Sequence, residues 1–366
     1  MNLPDQNNID TIHLQRLFDN MSECYKLFWL QAIVEEVISG KQCISFDDLI
    51  NNMIADAWYM VTEYKLNLGP QDTLENLVID VSKITKLKSS EKRETIISTI
   101  KACDDKLLKQ RKQTLTYNVP YRLLAPFMPT VKGHVWDVPK QELVNIINSH
   151  ENAIYQISSI AGLQSTIWIR DSWAQYIKDN CEVIMGWIQL NMILYLQRRN
   201  PSVPGIPNKL FPPQERKLQK VTKYWQSVLA VCNLRDIYGG IELIPQEISI
   251  DHFIPWSYVA HDELWNLSPT TRSINSQKSN HLPDWNSYFS HLCSIEYTAY
   301  QAIWQYDMVH KEFDKCAQEH INSTDTLHKL YRQGITKNEF DLNLESIIRP
   351  VYNAAQNLGF DCWRLE

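Results

Sequence analysis

The stretch DHFIPWSYVAHDELWNLSPTTRSINSQKSNHLP, Asp251 to Pro283, decides how this chain is read. Just upstream, Ile237 to Ile254 (IYGGIELIPQEISIDHFI) carries a Gly-Gly turn, a proline and alternating apolar positions at Ile248, Ile250 and Phe253. That pattern predicts short strands bent into a hairpin. Thr270 to Asn280 predicts one short helix. Asp251 and His252 then stand on the strand side, Asn275 on the helix side and Asn266 between them. Neighbouring residues of a strand point to opposite faces, so Asp251 and His252 can serve different tasks. A hairpin packed on a helix brings Asn275 beside Asp251. One hard divalent cation, Mg2+ or Mn2+, would meet two oxygen ligands there, with waters and a phosphate oxygen completing its shell.

That arrangement suits phosphodiester hydrolysis, which needs a deprotonated water and charge stabilisation at the phosphate. The imidazole of His252 is suited to act as the base near neutral pH. Asn266 is placed to tie the intervening loop, so that His252 keeps its rotamer and tautomer. The segment resembles the HNH (ββα-metal) endonuclease family, and most of all the HNH domain of RNA-guided CRISPR effector nucleases. The match has no gap over the roughly 33 residues from Asp251 to Pro283. The resemblance implies a metal ligand at Asp251, the general base at His252, the loop asparagine at Asn266 and a second metal ligand at Asn275. Lys278 also matches, while Asn280 stands where that family more often has an acid. Lys278 and Arg272 are candidate phosphate contacts, and the alternative for each is a solvated helix face. His261 and His281 are rival ligands; His281 lies six residues after Asn275, where a helix turns it away from the same face.

Two departures qualify the resemblance. Many HNH proteins pin the hairpin with zinc on cysteine pairs, and none of the cysteines here forms a C-x-x-C pair. Packing from Ile241, Leu243, Ile248 and Trp256 is expected to hold it instead. The long RNA-guided architecture is also missing, so the resemblance implies the chemistry and not the guiding. The flanking segments, with F-D-N-x-x-x-x-Y-K from Phe18 to Lys26 and A-W-Y at Ala57 to Tyr59, resemble a poorly characterised group of bacterial HNH proteins. That second resemblance implies a role in restriction or phage defence.

Outward from this segment the chain reads as mainly α, with helical domains flanking a small ββα-metal nuclease module. Twelve Trp and seventeen Tyr against ten Gly point to helices with large side chains between them, not to a propeller or sandwich. Apolar residues recur at helical spacing at Tyr25, Phe28, Trp29, Ala32, Ile33 and Val37, and again at Ile54, Trp58 and Val61. Helices are also expected over 91–109, 141–149, 171–199 and 214–231, and from Trp285 onward with Tyr297, Tyr300, Trp304 and Met308 facing inward. Trp168, Trp173, Trp187 and Trp225 are expected in the core. Proline clusters near 120–139 and 201–213 mark junctions. The expected domains are 1–117, 118–231, the module at 232–285, and 286–366.

The eight cysteines read as reduced, packed thiols. The start MNLPDQNNID has no basic segment followed by an apolar one. The most apolar stretch, Val183 to Leu196, is shorter than the roughly 20 residues of a spanning helix and contains Gln189 and Asn191. A cytoplasmic protein with no membrane contact is expected.

The net charge of -6 is unevenly spread. Between Lys83 and Lys112 ten Lys/Arg face four acids, a net of +6, which leaves -12 on the rest. Lys106, Lys109, Arg111 and Lys112 in this stretch are candidate nucleic-acid contacts. Lys209, Arg216, Lys217, Lys220 and Lys223 form a second basic run. Either run could equally be a solvated face. From Cys232 to Trp285 three bases face seven acids, a net of -4, so the module alone would hold nucleic acid weakly. A basic helix elsewhere, a second copy or a partner protein must supply the grip. The expected activity is DNA cleavage. The alternatives are an RNA-cleaving nuclease and a non-catalytic DNA-binding or assembly subunit of a defence complex.

Overall fold

A computed structural model describes residues 3–5, 9, 11–19, 21–70, 72–129, 131, 136–211 and 217–365. Asn20 of the first flanking motif and Arg216 of the second basic run lie outside the described residues. The chain divides into two compact units, one of Met1–Pro201 with Leu210–Pro212, the other of Ser202–Lys209 with Pro213–Glu366.

The first unit begins with helices α1 (Thr11–Gln15), α2 (Tyr25–Ile38), α3 (Phe46–Thr62) and α4 (Thr73–Thr85). It continues with α5 (Arg93–Ala102), α6 (Lys106–Leu115), α7 (Val119–Arg122) and α8 (Lys140–Asn148), and ends with α9 (Asp171–Asp179) and α10 (Cys181–Arg199). Side-chain caps set several starts: Ser45 accepts from the Asp48 amide before α3, and Asp72 from the Leu74 and Glu75 amides before α4. The helix expected over 91–109 is two, α5 and α6, because Asp105 caps a new start by accepting from the Leu108 amide. The inward residue of α6 is therefore Leu108, while Leu107 is 49% exposed. The run expected over 171–199 likewise breaks, at Asn180.

A three-stranded sheet joins this unit in the order β1 (Cys43–Ser45), β3 (Thr166–Ile169), β2 (Tyr155–Ser159), antiparallel throughout. Strands this short carry too little alternation to be read from sequence. The Tyr155 hydroxyl donates to the Pro120 carbonyl. Sheet and hydrogen bond together stitch residues before 117 to residues after it, so no domain boundary falls at 117. Trp173 and Trp187 are buried as expected, while Trp168 is 40% exposed on β3.

The second unit holds α11 (Gln219–Leu229), β4 (Ile248–His252), α12 (Trp256–Val259), β5 (Leu267–Thr271) and α13 (Arg272–Lys278). After them come β6 (Leu282–Pro283), α14 (Trp285–Gln305), α15 (Asp307–His320), α16 (Thr324–Tyr331), α17 (Lys337–Asn357) and β7 (Cys362–Trp363). One apolar core runs from Val221 through Phe253, Leu267 and Ile303 to Phe360, so residues 232–285 share it with the helices on both sides. β6 pairs parallel with β7, and the Tyr352 hydroxyl donates to the Pro283 carbonyl. These contacts run across the boundaries expected at 231 and 285. On α14 and α15 only Tyr300 of the expected inward set is buried; Tyr297 is half-buried, and Trp304 and Met308 are exposed. Among the described residues no helix is long and apolar enough to cross a membrane.

Candidate active site

The strand pair at the site is β4 with β5, antiparallel, with Asp251 opposite Ser268 and His252 opposite Leu267. The hairpin expected within 237–254 is not formed: among the described residues between α11 and β4 there is an isolated bridge, Arg235 with Glu242, and no strand. The Gly-Gly turn there serves another purpose. Buried Asp236 accepts from the amides of Tyr238, Gly239 and Ile241 and from the Thr270 hydroxyl, tying the turn to β5. Gly240 sits at φ +63°, where a side chain would be strained. Thr271 caps α13 by accepting from the Ile274 amide, so the helix starts two residues later than the sequence implied. Leu243 is buried against this module, but Ile241 is 49% exposed and takes no part in holding it.

Asp251 and His252 are both buried, and they face different partners. Asp251 Oδ1 accepts from Lys278 Nζ at 3.1 Å and Oδ2 from the Tyr238 hydroxyl at 2.6 Å. Lys278 Nζ also donates to the His252 carbonyl at 2.7 Å. Burial and the Asp251 charge push the Tyr238 hydroxyl well above its ordinary pKa, so it stays a donor. On the other face, His252 Nε2 lies 2.7 Å from Asp262 Oδ1. An ionised carboxylate only accepts, so Nε2 is a nitrogen that carries a proton. Neither Tyr238 nor Asp262 was singled out from sequence. Both reach the site across a turn or loop, where no periodicity points to them.

Asn266 is wholly buried, and its amide pairs with both backbone groups of Ile254: Oδ1 accepts from the amide at 2.7 Å and Nδ2 donates to the carbonyl at 2.9 Å. It fixes the loop after His252 and is a positioning residue; the tautomer of His252 is set by Asp262 instead. Asn275 Nδ2 donates to Ser249 Oγ at 2.8 Å and to the Ile250 carbonyl at 3.1 Å, and its Oδ1 has no hydrogen-bond partner among the described residues.

Residues 236–284 match a family model described as HNH endonuclease. The segment belongs to the HNH endonuclease family. No curated protein and no solved structure matches the chain.

Among the described residues no group of three or more His, Cys, Asp and Glu could hold a metal ion. The HNH module offers a different donor set, one carboxylate and one amide oxygen. Each carboxylate oxygen has more than one lone-pair site, so the bonds from Lys278 and Tyr238 do not exhaust Asp251. Together with the unbonded Oδ1 of Asn275, this oxygen-only set fits a hard divalent cation that keeps several waters.

The remaining candidates are placed as follows. Lys278 is buried on Asp251 and does not offer its ammonium to solvent, which corrects its assignment as an exposed phosphate contact. Arg272 is exposed, on the wall of a cavity of about 520 Å³ with Ile248 and Thr271. His261 is half-buried, and burial lowers its pKa. His281 Nδ1 bonds the Lys278 carbonyl. In the basic stretch Lys112 is buried on Asp47 at 2.5 Å, Arg111 pairs with Asp80 at 2.6 Å and Lys109 pairs with Asp104. Of that quartet Lys106 is exposed and has no ion-pair partner among the described residues, and the same holds of Lys83, Lys86, Lys88 and Lys92. In the second run Lys209 is fully buried, bonded to the Pro204 and Tyr258 carbonyls, and burial lowers its pKa to about 7.

Proposed function

We propose that this protein is a DNA endonuclease in which His252 is the general base and Asp251 and Asn275 hold one Mg2+ or Mn2+ ion. The observation that carries this reading is the pairing of His252 Nε2 with Asp262, one residue after a carboxylate that faces the opposite way. It leaves Nδ1 as the basic nitrogen for a water attacking phosphorus. Asp262 steadies the imidazolium once that proton is taken. The Ser249 and Ile250 contacts aim the Asn275 amide, and Tyr238 and Lys278 hold the Asp251 carboxylate in place. A bound divalent cation would supply charge stabilisation at the phosphate and the leaving sugar oxygen.

The module is acidic by itself, so the grip on nucleic acid is assigned to the basic stretch from Lys83 to Lys112, with a second copy or a partner protein as the further source. Lys83, Lys86, Lys88, Lys92 and Lys106, exposed and without an acidic partner among the described residues, are assigned the phosphate contacts. A role in restriction or phage defence follows from the resemblance of the segments around Phe18 and Trp58. The test incubates the purified protein with supercoiled, linear and single-stranded DNA and with RNA, each with and without Mg2+ or Mn2+, beside His252→Ala. Metal-dependent cutting of DNA that the variant lacks is the expected result. Cutting of RNA alone would reassign the substrate, and no cutting of any substrate would leave a binding or assembly subunit.

A further inference from the structure

Asp262, which holds the base, sits on backbone that no strand or helix supports. Residues 260–263 follow α12 through Ala260 at φ +54°, and the Asn266 amide donates to the Glu263 carbonyl. Two residues from outside 236–284 also hold this segment. His320, the last residue of α15, is buried, and its Nδ1 bonds the Asp262 carbonyl at 2.7 Å. A carbonyl only accepts, so His320 is the Nδ1–H tautomer; its Nε2 has no partner. Two residues on, the Asn322 amide and Nδ2 both donate to Glu263 Oε1, at 3.2 and 2.7 Å. α15 in turn packs on α11, with Tyr224 and Phe313 rings 5.9 Å apart and Lys220 paired with Glu319. From α11, Trp225 Nε1 donates to the Leu267 carbonyl at 2.9 Å, and Leu267 is the register partner of His252.

We infer that α15, through His320, is a positioning element of the active site: it fixes the backbone of Asp262 and thereby the orientation and tautomer of His252. This rests on the reading of His252 as the base. The helices outside the matched segment are then part of the catalytic apparatus, and a module cut out at residues 236–284 would keep every motif residue but lose the support of its base. His320 touches no substrate in this scheme; it acts through Asp262.

Three variants separate this from a general packing role. His320→Leu removes the donor, His320→Gln moves it further along the side chain, and His320→Asn keeps an amide nitrogen where Nδ1 stood. In the full chain, His320→Leu and His320→Gln should lower kcat by about 10- to 100-fold with KM unchanged, the scale expected of a misplaced catalytic group. His320→Asn should restore most of the rate. In an Asp262→Ala background, His320→Leu should cost nothing further, because its route to His252 is already gone. Should His320→Leu lose its helical circular dichroism, the comparison of His320→Gln with His320→Asn carries the same test. Equal rates for those two, or full additivity with Asp262→Ala, would overturn the inference. A readout independent of activity distinguishes its failure from that of the nuclease reading. The His252 ring-nitrogen resonances of 15N-histidine-labelled protein, identified by their loss in His252→Ala, should move in His320→Gln and stay in place in His320→Asn. Unmoved resonances in both would sink the inference even in an enzyme that cuts DNA. Moved resonances in a protein that cuts nothing would support the coupling while ending the nuclease reading.

Discussion

Lys278 and Lys112 each bury an ammonium against an aspartate, the first 3.1 Å from Asp251 inside the HNH module and the second 2.5 Å from Asp47 between α6 and α3. The surroundings differ. Around Asp251 every polar group converges: Tyr238 takes the second oxygen, and Lys278 also binds the His252 carbonyl. Around Asp47 the second oxygen accepts, among the described residues, only from Asn51, one turn along the same helix, and the aspartate side chain is still 24% exposed. In the module, the spacing of Asp251, His252 and Asn275 puts the first two on β4 and the third on α13. In the basic stretch, a formal count of +6 treated every lysine as facing water. The fold instead turned Lys112 inward and set Arg111 and Lys109 on acids of the same unit. A charge count therefore overstates the cations free to meet phosphate wherever amphipathic helices pack with acids beside their apolar stripes.

Four measurements bear on that contrast. The largest effect is expected at the module. His252→Ala should slow cleavage by about 10²- to 10⁴-fold, the worth of a positioned base, with circular dichroism and DNA affinity unchanged. A variant that still cuts at the wild-type rate would reassign the base. Asp251→Ala and Asn275→Ala should each raise the Mg2+ or Mn2+ concentration for half-maximal rate by more than the roughly 10- to 100-fold typical of losing an outer-shell partner. Excess EDTA should stop the wild-type enzyme, and activity that survives it would dispose of the metal assignment.

In the basic stretch the effect of Lys112 should fall on stability. Lys112→Met should cost about 1–3 kcal/mol in urea unfolding, less than the loss of a fully buried pair because Asp47 keeps some water. Lys106→Met should change stability by no more than about 0.5 kcal/mol. Equal effects would erase the distinction between the two lysines. The smallest effect is on DNA binding. Replacing Lys83, Lys86, Lys88 and Lys92 by Gln should flatten the salt dependence by up to about one log-log unit per lost contact. Replacing Lys109, Arg111 and Lys112 should hardly alter it, and the reverse outcome would return the grip to the paired residues.

A third buried charge probes the same contrast through pH. Glu296 on α14 is buried with Oε1 unbonded, and burial raises its pKa well above the carboxylate range. Its folded pKa exceeds the unfolded one, so the folded state binds more protons in the window between them and stability falls as pH rises through it. Glu296→Gln should remove that slope, and its stability advantage over wild type should grow from about pH 5 to pH 8. A constant difference over that range would mean the carboxyl has a partner after all.

The sequence by itself determined the helical character of most of the chain, the register of the Asp251, His252, Asn266 and Asn275 set, and the strand and helix on which they stand. These features depend on local spacing: a period of about 3.6 marks a buried helix face, and an ordered motif keeps its intervals whatever surrounds it. The tertiary structure alone decided that β4 pairs with the strand after the loop, because two short strands carry no label for which neighbour they take. It alone brought Asp262 to His252, Tyr238 to Asp251 and His320 to Asp262, and it alone turned Lys112 inward. Each of those contacts joins residues whose separation along the chain matches neither a helical nor a strand period, so it exists only once the cores of the two units have closed.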